Sequence, residues 1–288
     1  MTIRALAEDV FDTEAALARA GGRSEPHPFG EVVSNPAYPH IAMVNGLLGF
    51  RATDWPVDRL ERFLKVATTD PVVRAALDQG LPPVGYRPEH KLAMTQVAEP
   101  QSSANPAISV ERVDGQRWSD YDQLIRESAA EEPRPWLPAA VEEWIALKHW
   151  QAANLPLEWY VAYDAARPVG RIGLFQHGST GRLQNVFVRR QERGRGIGSS
   201  MLLAMTERSR QLGCQRLTLM CGLQTTLPQL YQRFGFRPVG EWYAWVKPIA
   251  HPPPDLPAPQ GEGRGGGVSK TYRVSSVTSE APPVIWMS

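Results

Sequence analysis

The stretch VFVRRQERGRGIGSSMLLAM, residues 186–205, constrains the fold more than any other part of the chain. An apolar extended run, Val186 to Val188, leads into a loop that holds Gly194, Gly196 and Gly198 among arginines. Ile197, Met201, Ala204, Arg208 and Leu212 then follow at helical spacing. A strand that passes through glycines into a helix exposes the unpaired N–H groups of the first helical turn, and glycine lets a ligand approach that backbone closely. The amides and the helix dipole together suit phosphate oxygens. Arg193 and Arg195 add positive charge beside them.

Other glycine-rich loops fit less well. No Gly-Lys-Ser/Thr occurs, which excludes a Walker-type nucleotide loop. A dinucleotide fold wants a parallel strand–loop–helix unit and an acidic residue about 20 positions later, where this chain has Thr218-Leu219-Met220. Arginine–glycine segments that bind RNA are repetitive and lack bracketing core patterns. The charge balance argues the same way: 31 Lys and Arg against 30 Asp and Glu give a net of +1, without the basic excess of a nucleic-acid surface.

The segments before the loop alternate as strands. LEWYVAYDAARPVGRIGLFQHGSTGRLQNVFV reads as three strands joined by turns at Asp164–Pro168 and Gly178–Gly181, an antiparallel meander. Upstream of it, a strand AISVERV precedes helices over 118–130 and 138–153. Downstream of the loop the pattern predicts a helix to about Leu212, a strand QRLTLMCG, a short helix LPQLYQRF and a strand EWYAWVK. At 42% hydrophobic residues the chain can bury a core along most of its length.

The first 97 residues form a second unit. Helical spacing covers 2–20, two extended runs flank Pro36 and Pro39, and Val57, Leu60, Leu64 and Ala67 predict an amphipathic helix over 56–68. Pro71 opens a short helix to Leu77, and VGYRPEHKLAMTQV is strand material. The polar, proline-bearing stretch at 98–106 reads as a linker to a domain over 107–248, and 249–288 as a Pro/Gly-rich disordered tail. Cys214 and Cys221, seven apart in one predicted strand, cannot build a disulfide framework, which suits a reducing cytoplasm. No run is apolar and long enough to span a bilayer, so a cytoplasmic protein with no membrane or nucleic-acid partner is expected.

The loop resembles the acyl-CoA-binding motif of the GNAT acetyltransferase superfamily, Arg/Gln-x-x-Gly-x-Gly/Ala. Two frames fit, Gln191 to Gly196 and Arg193 to Gly198. Counting five residues on from Val188 favours the second, with Arg193, Gly196 and Gly198 as signature positions and Arg190 where the family often has proline. LYQRFGF, residues 230–236, resembles the family's closing Leu-Tyr-x-x-x-Gly-Phe. The likeness runs over about residues 107–247. It implies an α/β (α+β) GNAT fold, a mixed, mostly antiparallel central sheet flanked by helices, behind a smaller α/β N-terminal domain. That N-terminal domain faintly resembles a degenerate GNAT half.

The resemblance also implies chemistry. Acetyl-CoA is the expected acyl donor, and a neutral amine, of a small molecule or of a protein N-terminus or lysine, attacks its thioester directly; a non-catalytic acyl-CoA sensor is the alternative. Backbone amides of Gly194, Arg195, Gly196, Ile197, Gly198 and Ser199 are expected to hold the pyrophosphate, and Val186, Phe187 and Val188 to pair with the pantetheine arm. Tyr231 matches the family's frequent proton donor to the leaving thiolate. Gln224 stands where the family often has asparagine, as a further cofactor contact. His177, His149 and Glu158 are each candidates for the base, with none singled out. The carboxylate some relatives carry before the motif is absent, since LQNVFV offers Gln184 and Asn185. Trp136 is a candidate to line an acceptor pocket. Scattered histidines predict no metal site. Monomer and homodimer are both open.

Overall fold

A computed structural model describes residues 2–52, 60, 63–82, 85–132, 136–223 and 225–247. Gln224 and the segment 249–288 lie outside these residues, so the expectations placed on them have no structural counterpart here.

The C-terminal half follows the predicted order. β6 (Ile108–Arg112) leads into α3 (Arg117–Ala130) and α4 (Pro138–Asn154). The meander is β7 (Leu157–Asp164), β8 (Arg167–His177) and β9 (Thr180–Val188), followed by α5 (Ile197–Gln211), β10 (Arg216–Gly222), α6 (Leu227–Gln232) and β11 (Phe236–Val246). The N-terminal half consists of α1 (Ile3–Arg19), β1 (Arg23–His27), β2 (Gly30–Ser34), β3 (Gly46–Leu48), β4 (Lys65–Thr68), α2 (Pro71–Gly80) and β5 (Arg87–Gln96). Alternation within the meander puts Tyr160, Ala162, Ile172 and Leu174 against α5, and Trp159, Val161 and Tyr163 against α3 and α4.

Lys65–Thr68 is a strand where the helix expected over 56–68 placed its last turn, while residues 56–59, 61 and 62 of that expectation lie outside the described residues. All four residues are buried, with Val66 and Ala67 in different core clusters on the two faces of the sheet. A strand covered on both faces reads as a continuous apolar run, which sequence periodicity does not separate from a helix. Cys214 is likewise not in the strand assigned to it, because it precedes β10 while Cys221 lies inside; both thiols are free.

All the strands join one mixed sheet of eleven, in the order β1-β2-β3-β4-β11-β5-β10-β9-β8-β7-β6. Its centre is palindromic. In each half a parallel pair, β3 with β4 and β9 with β10, is followed in sequence by a helix and one long strand. Each long strand lies beside the other half: β5 pairs antiparallel with β10 and β11, and β11 pairs antiparallel with β5 and β4. The two halves thus exchange a strand. The segment expected as a linker is pinned to the C-terminal half, with Val97 N–H on Gly235 O at 2.9 Å, Gln101 N–H on Arg233 O at 2.8 Å and Asn105 N–H on Ser200 Oγ at 2.9 Å. No helix among the described residues is long and apolar enough to cross a membrane.

Candidate active site

β9 and β10 pair over three positions only, Arg216 opposite Thr180, Leu217 opposite Gly181 and Thr218 opposite Arg182. β9 continues to Val188 and β10 to Gly222, yet past Thr218 the edge of β10 away from β9 stays paired with β5. The two parallel strands therefore part toward their C-terminal ends. A bulge in β9 marks the departure: its register with β8 slips between Gly173 opposite Gln184 and Arg171 opposite Phe187, and Asn185 takes a left-handed backbone with φ of 54°. The buried Arg171 holds this bulge, donating from Nη1 to Asn185 O at 3.0 Å and from Nη2 to Ser128 Oγ at 2.9 Å. Beyond Arg182 no described strand pairs with this edge of β9, although side chains of Arg171 and Arg193 occupy the carbonyls of Asn185 and Val188.

The glycine loop closes the open end of this wedge. After β9 comes a 3-10 turn, Arg190–Glu192, and then Gly194 and Gly196, both left-handed at φ of 83° and 78°. Gly196 is the N-cap of α5 and supplies no side chain to its first turn, so the amides of Gly196, Ile197, Gly198 and Ser199 keep no partner within the helix. Ile197 is buried in the core beneath and fixes the start of the helix. A side chain on Gly196 would have its Cβ 3.3 Å from that of Asn105 and would strain the backbone. Val186 and Val188 pack toward the α5 core, and Phe187 toward α3 and α4.

Arg193 and Arg195 are engaged with carboxylates. Arg193 donates from Nε to Val188 O at 3.1 Å and from Nη2 to Glu131 at 2.7 Å. Arg195 pairs with Asp164 at 2.8 Å and with Glu192. Asn105 Nδ2 donates to Arg195 O at 2.8 Å, Glu131 accepts Arg190 N–H at 3.1 Å, and Glu127 holds Arg189 through two contacts of 2.6 and 2.7 Å. These partners come from β7, the end of α3 and the segment before β6. No sequence motif marks them, because the clamp consists of common ion pairs between distant positions.

Tyr231 stands on α6 below the parted section of β10. Its ring is buried, edge-on to Phe236 at 6.1 Å, in the cluster that holds Leu219, Cys221, Ile197 and Met201. Burial, with the nearby Cys221 thiol, pushes the phenol up, so it is protonated at neutral pH. Among the described residues its hydroxyl makes no hydrogen bond.

The three base candidates sit away from the wedge. β7 runs parallel to β9, so Leu157, Glu158 and the hairpin residue His177 mark the end of the sheet opposite Val188. His149 pairs with Asp122 at 3.0 Å, stacks on Trp118 at 3.9 Å and shares a pocket with Glu158. Arg208 grips Glu158 through two 2.8 Å contacts and holds its carboxyl below the usual range. Trp136 lies just ahead of α4, edge-on to Trp144 at 5.8 Å. Sequence reading passed over Glu132, the residue after the α3 cap. Its carboxyl is buried, raised to about 7 by that burial and by the charges of Glu89 and Glu131. No group of three or more His, Cys, Asp or Glu side chains among the described residues is placed to hold a metal ion.

Residues 156–238 match the family model of the acetyltransferase (GNAT) domain. A functionally unknown conserved protein from Staphylococcus epidermidis ATCC 12228 is similar in structure, with a TM-score of 0.61 and 14% identity over 78% of this chain and 94% of that one. A GCN5-related N-acetyltransferase from Kribbella flavida is similar with a TM-score of 0.60 and 12% identity, over 85% of this chain and 96% of that one. Both likenesses take in the N-terminal half. No curated protein matches the sequence. The family likeness thus lies in the C-terminal half, where residues 156–238 match the acetyltransferase (GNAT) domain, and the likeness of fold extends over both halves.

Proposed function

We propose that the protein transfers the acetyl group of acetyl-CoA to a primary amine of a small molecule, by direct attack of the amine on the thioester. The observation that carries this reading is the parting of β9 from β10 over a glycine-capped helix start. The amides from Gly194 to Ser199 face the pyrophosphate. Arg193 and Arg195, neutralised by Glu131, Asp164 and Glu192, anchor the loop that presents those amides and turn to the pyrophosphate only by exchanging those partners. The free edge of Val186, Phe187 and Val188 pairs with the amides of the pantetheine arm as a strand would, and one N–H there polarises the thioester carbonyl. Gln224, outside the described residues, is a further cofactor contact on the family resemblance alone.

Tyr231 supplies the proton that the departing thiolate needs, from a hydroxyl kept protonated by burial. Holding both reactants in line accounts for much of the rate, and no covalent enzyme intermediate is needed. The units 1–97 and 107–248 act together, the first covering the acceptor side of the second. A thiol-release assay with acetyl-CoA across polyamines, amino sugars, amino acids and amino-bearing antibiotics tests the proposal. Release that requires one amine class supports it. Tight acetyl-CoA binding with no release from any amine makes the protein an acyl-CoA-binding module instead.

A further inference from the structure

Direct attack needs a proton acceptor for the incoming ammonium, and His149, Glu158 and His177 stand at the end of the sheet opposite Val188. At the end of α3, beside the loop that follows β9, Glu132 is a buried carboxyl with one oxygen unpartnered among the described residues. Glu131 ties the end of α3 to the C-terminal end of β9, through Arg193 and the Arg190 amide. Glu132 follows directly. Across the wedge, Lys91 of β5 lies opposite Gly222, the last residue of β10, so Glu89 stands just beyond the end of β10. Glu132 follows the Glu131 that holds the loop after β9, and the charges of Glu131 and Glu89 both act on its carboxyl, so it lies within electrostatic reach of both.

The Glu132 side chain is 9% exposed, and among the described residues its Oε2 meets no hydrogen-bond donor. A buried carboxylate oxygen without a donor is costly, and native structures rarely leave one without a purpose. The charged groups around it are accounted for: Glu89 pairs with Lys91 at 3.5 Å, and Glu131 with Arg193 at 2.7 Å. We propose that Glu132 is the general base, its carboxylate taking a proton from the ammonium of the acceptor at the mouth of the wedge. This rests on the acetyltransferase reading and adds the residue that reading lacks.

An N–H bond of the ammonium breaks, and its proton goes to the Glu132 carboxylate and on to solvent. The neutral amine then forms a C–N bond to the thioester carbonyl carbon while the C–S bond breaks. The nitrogen loses its second proton as the thiolate gains one from Tyr231, and the phenol is reprotonated. The net products are the amide, free CoA thiol and one proton. A carboxyl poised near 7 suits this work, because it is ionised enough to accept a proton and basic enough to draw one from an ammonium.

The test compares the full chain with its Glu132→Gln variant, using the amine that gives the fastest thiol release. Calorimetry with acetyl-CoA checks that the variant is folded and binds its donor within about threefold of wild type. The wild-type kcat/KM is expected to rise through an ionisation near pH 7. The variant is expected to lose about a hundredfold at pH 7, to lose that ionisation and to recover with trifluoroethylamine, which is largely neutral at that pH. A variant that keeps the wild-type pH profile, or that trifluoroethylamine does not rescue, overturns the assignment while leaving the acetyltransferase reading intact. Absence of thiol release by the wild type with every amine overturns both. Thermal melts give a readout independent of turnover. A carboxyl raised in the folded state costs stability as pH rises from about 4.5 to about 7, so Glu132→Gln is expected to gain Tm over wild type at pH 8 and not at pH 4. A difference that does not vary with pH contradicts the buried, raised carboxyl.

Discussion

At the scale of single residues, the phenol of Tyr231 and the carboxyl of Glu132 are both shifted chiefly by burial, which suits the opposite roles proposed for them. Burial favours the neutral form of each, which leaves the phenol a donor at any physiological pH and brings the carboxyl to the edge of ionisation. Removing the Tyr231 hydroxyl keeps the ring that packs against Phe236, so Tyr231→Phe is expected to fold normally. Its kcat is expected to fall by about a hundredfold, with acetyl-CoA affinity within about threefold of wild type, because a proton donor acts on the transition state and not on the ground-state complex. Steady-state kinetics alongside calorimetry check this. Near-wild-type turnover would reduce Tyr231 to a packing residue. The sequence motif picked out Tyr231, whereas Glu132 is a buried base only because of its place in the fold. Nothing in its neighbours Glu131 and Pro133 distinguishes it from a solvated acid.

Among the elements, β9 and the loop after it shape the site. The strand, the glycines and the helix start were legible as a pattern, because each obeys a local rule: alternation, left-handed φ, 3.6-residue periodicity. The parting of β9 from β10 was not, since it depends on which strands pair and for how far. The bulge at Asn185 belongs to the same class. Its φ of 54° is one that asparagine tolerates and a β-branched residue does not. Asn185→Val is expected to destabilise the protein by about 1–2 kcal/mol and to weaken acetyl-CoA binding as the free edge of β9 shifts, while Asn185→Gly retains the bulge. Chemical denaturation and calorimetry on the pair decide it. Equal stability of the two variants would mean the bulge does not hold β9 in place. The same dependence on pairing explains β4: four residues buried on both faces carry no period of their own, so KVAT reads as helix until β3 and β11 are placed beside it.

Across the whole molecule, the two halves are joined by more than the exchange of β5 and β11. Glu14 on α1 accepts from Arg182 of β9 at 2.6 Å and from Lys65 of β4 at 3.3 Å, all three side chains buried. Burial alone would raise its carboxyl, but Arg182, Lys65 and Lys91 outweigh that and hold it well below the usual carboxylate range. The stability it contributes is present at neutral pH and is lost on acidification toward that lowered value. Glu14→Gln strands two buried cations, and the expected cost at pH 7 is about 3–5 kcal/mol, read by urea unfolding. A loss below about 1 kcal/mol would mean that water already screens the trio. The duplicated architecture was visible in the sequence only as a faint likeness of residues 1–97 to the second half, because the first half has no glycine loop and gives its last strand to its neighbour. The central claim, that the wedge between β9 and β10 binds acetyl-CoA through the start of α5, meets its most direct test in calorimetry of acetyl-CoA on the full chain and its Gly196→Glu variant. A folded variant with affinity reduced at least tenfold, about 1.4 kcal/mol, is the expected result, since a carboxylate at this N-cap opposes the pyrophosphate. Unchanged affinity in a folded Gly196→Glu protein would contradict the account.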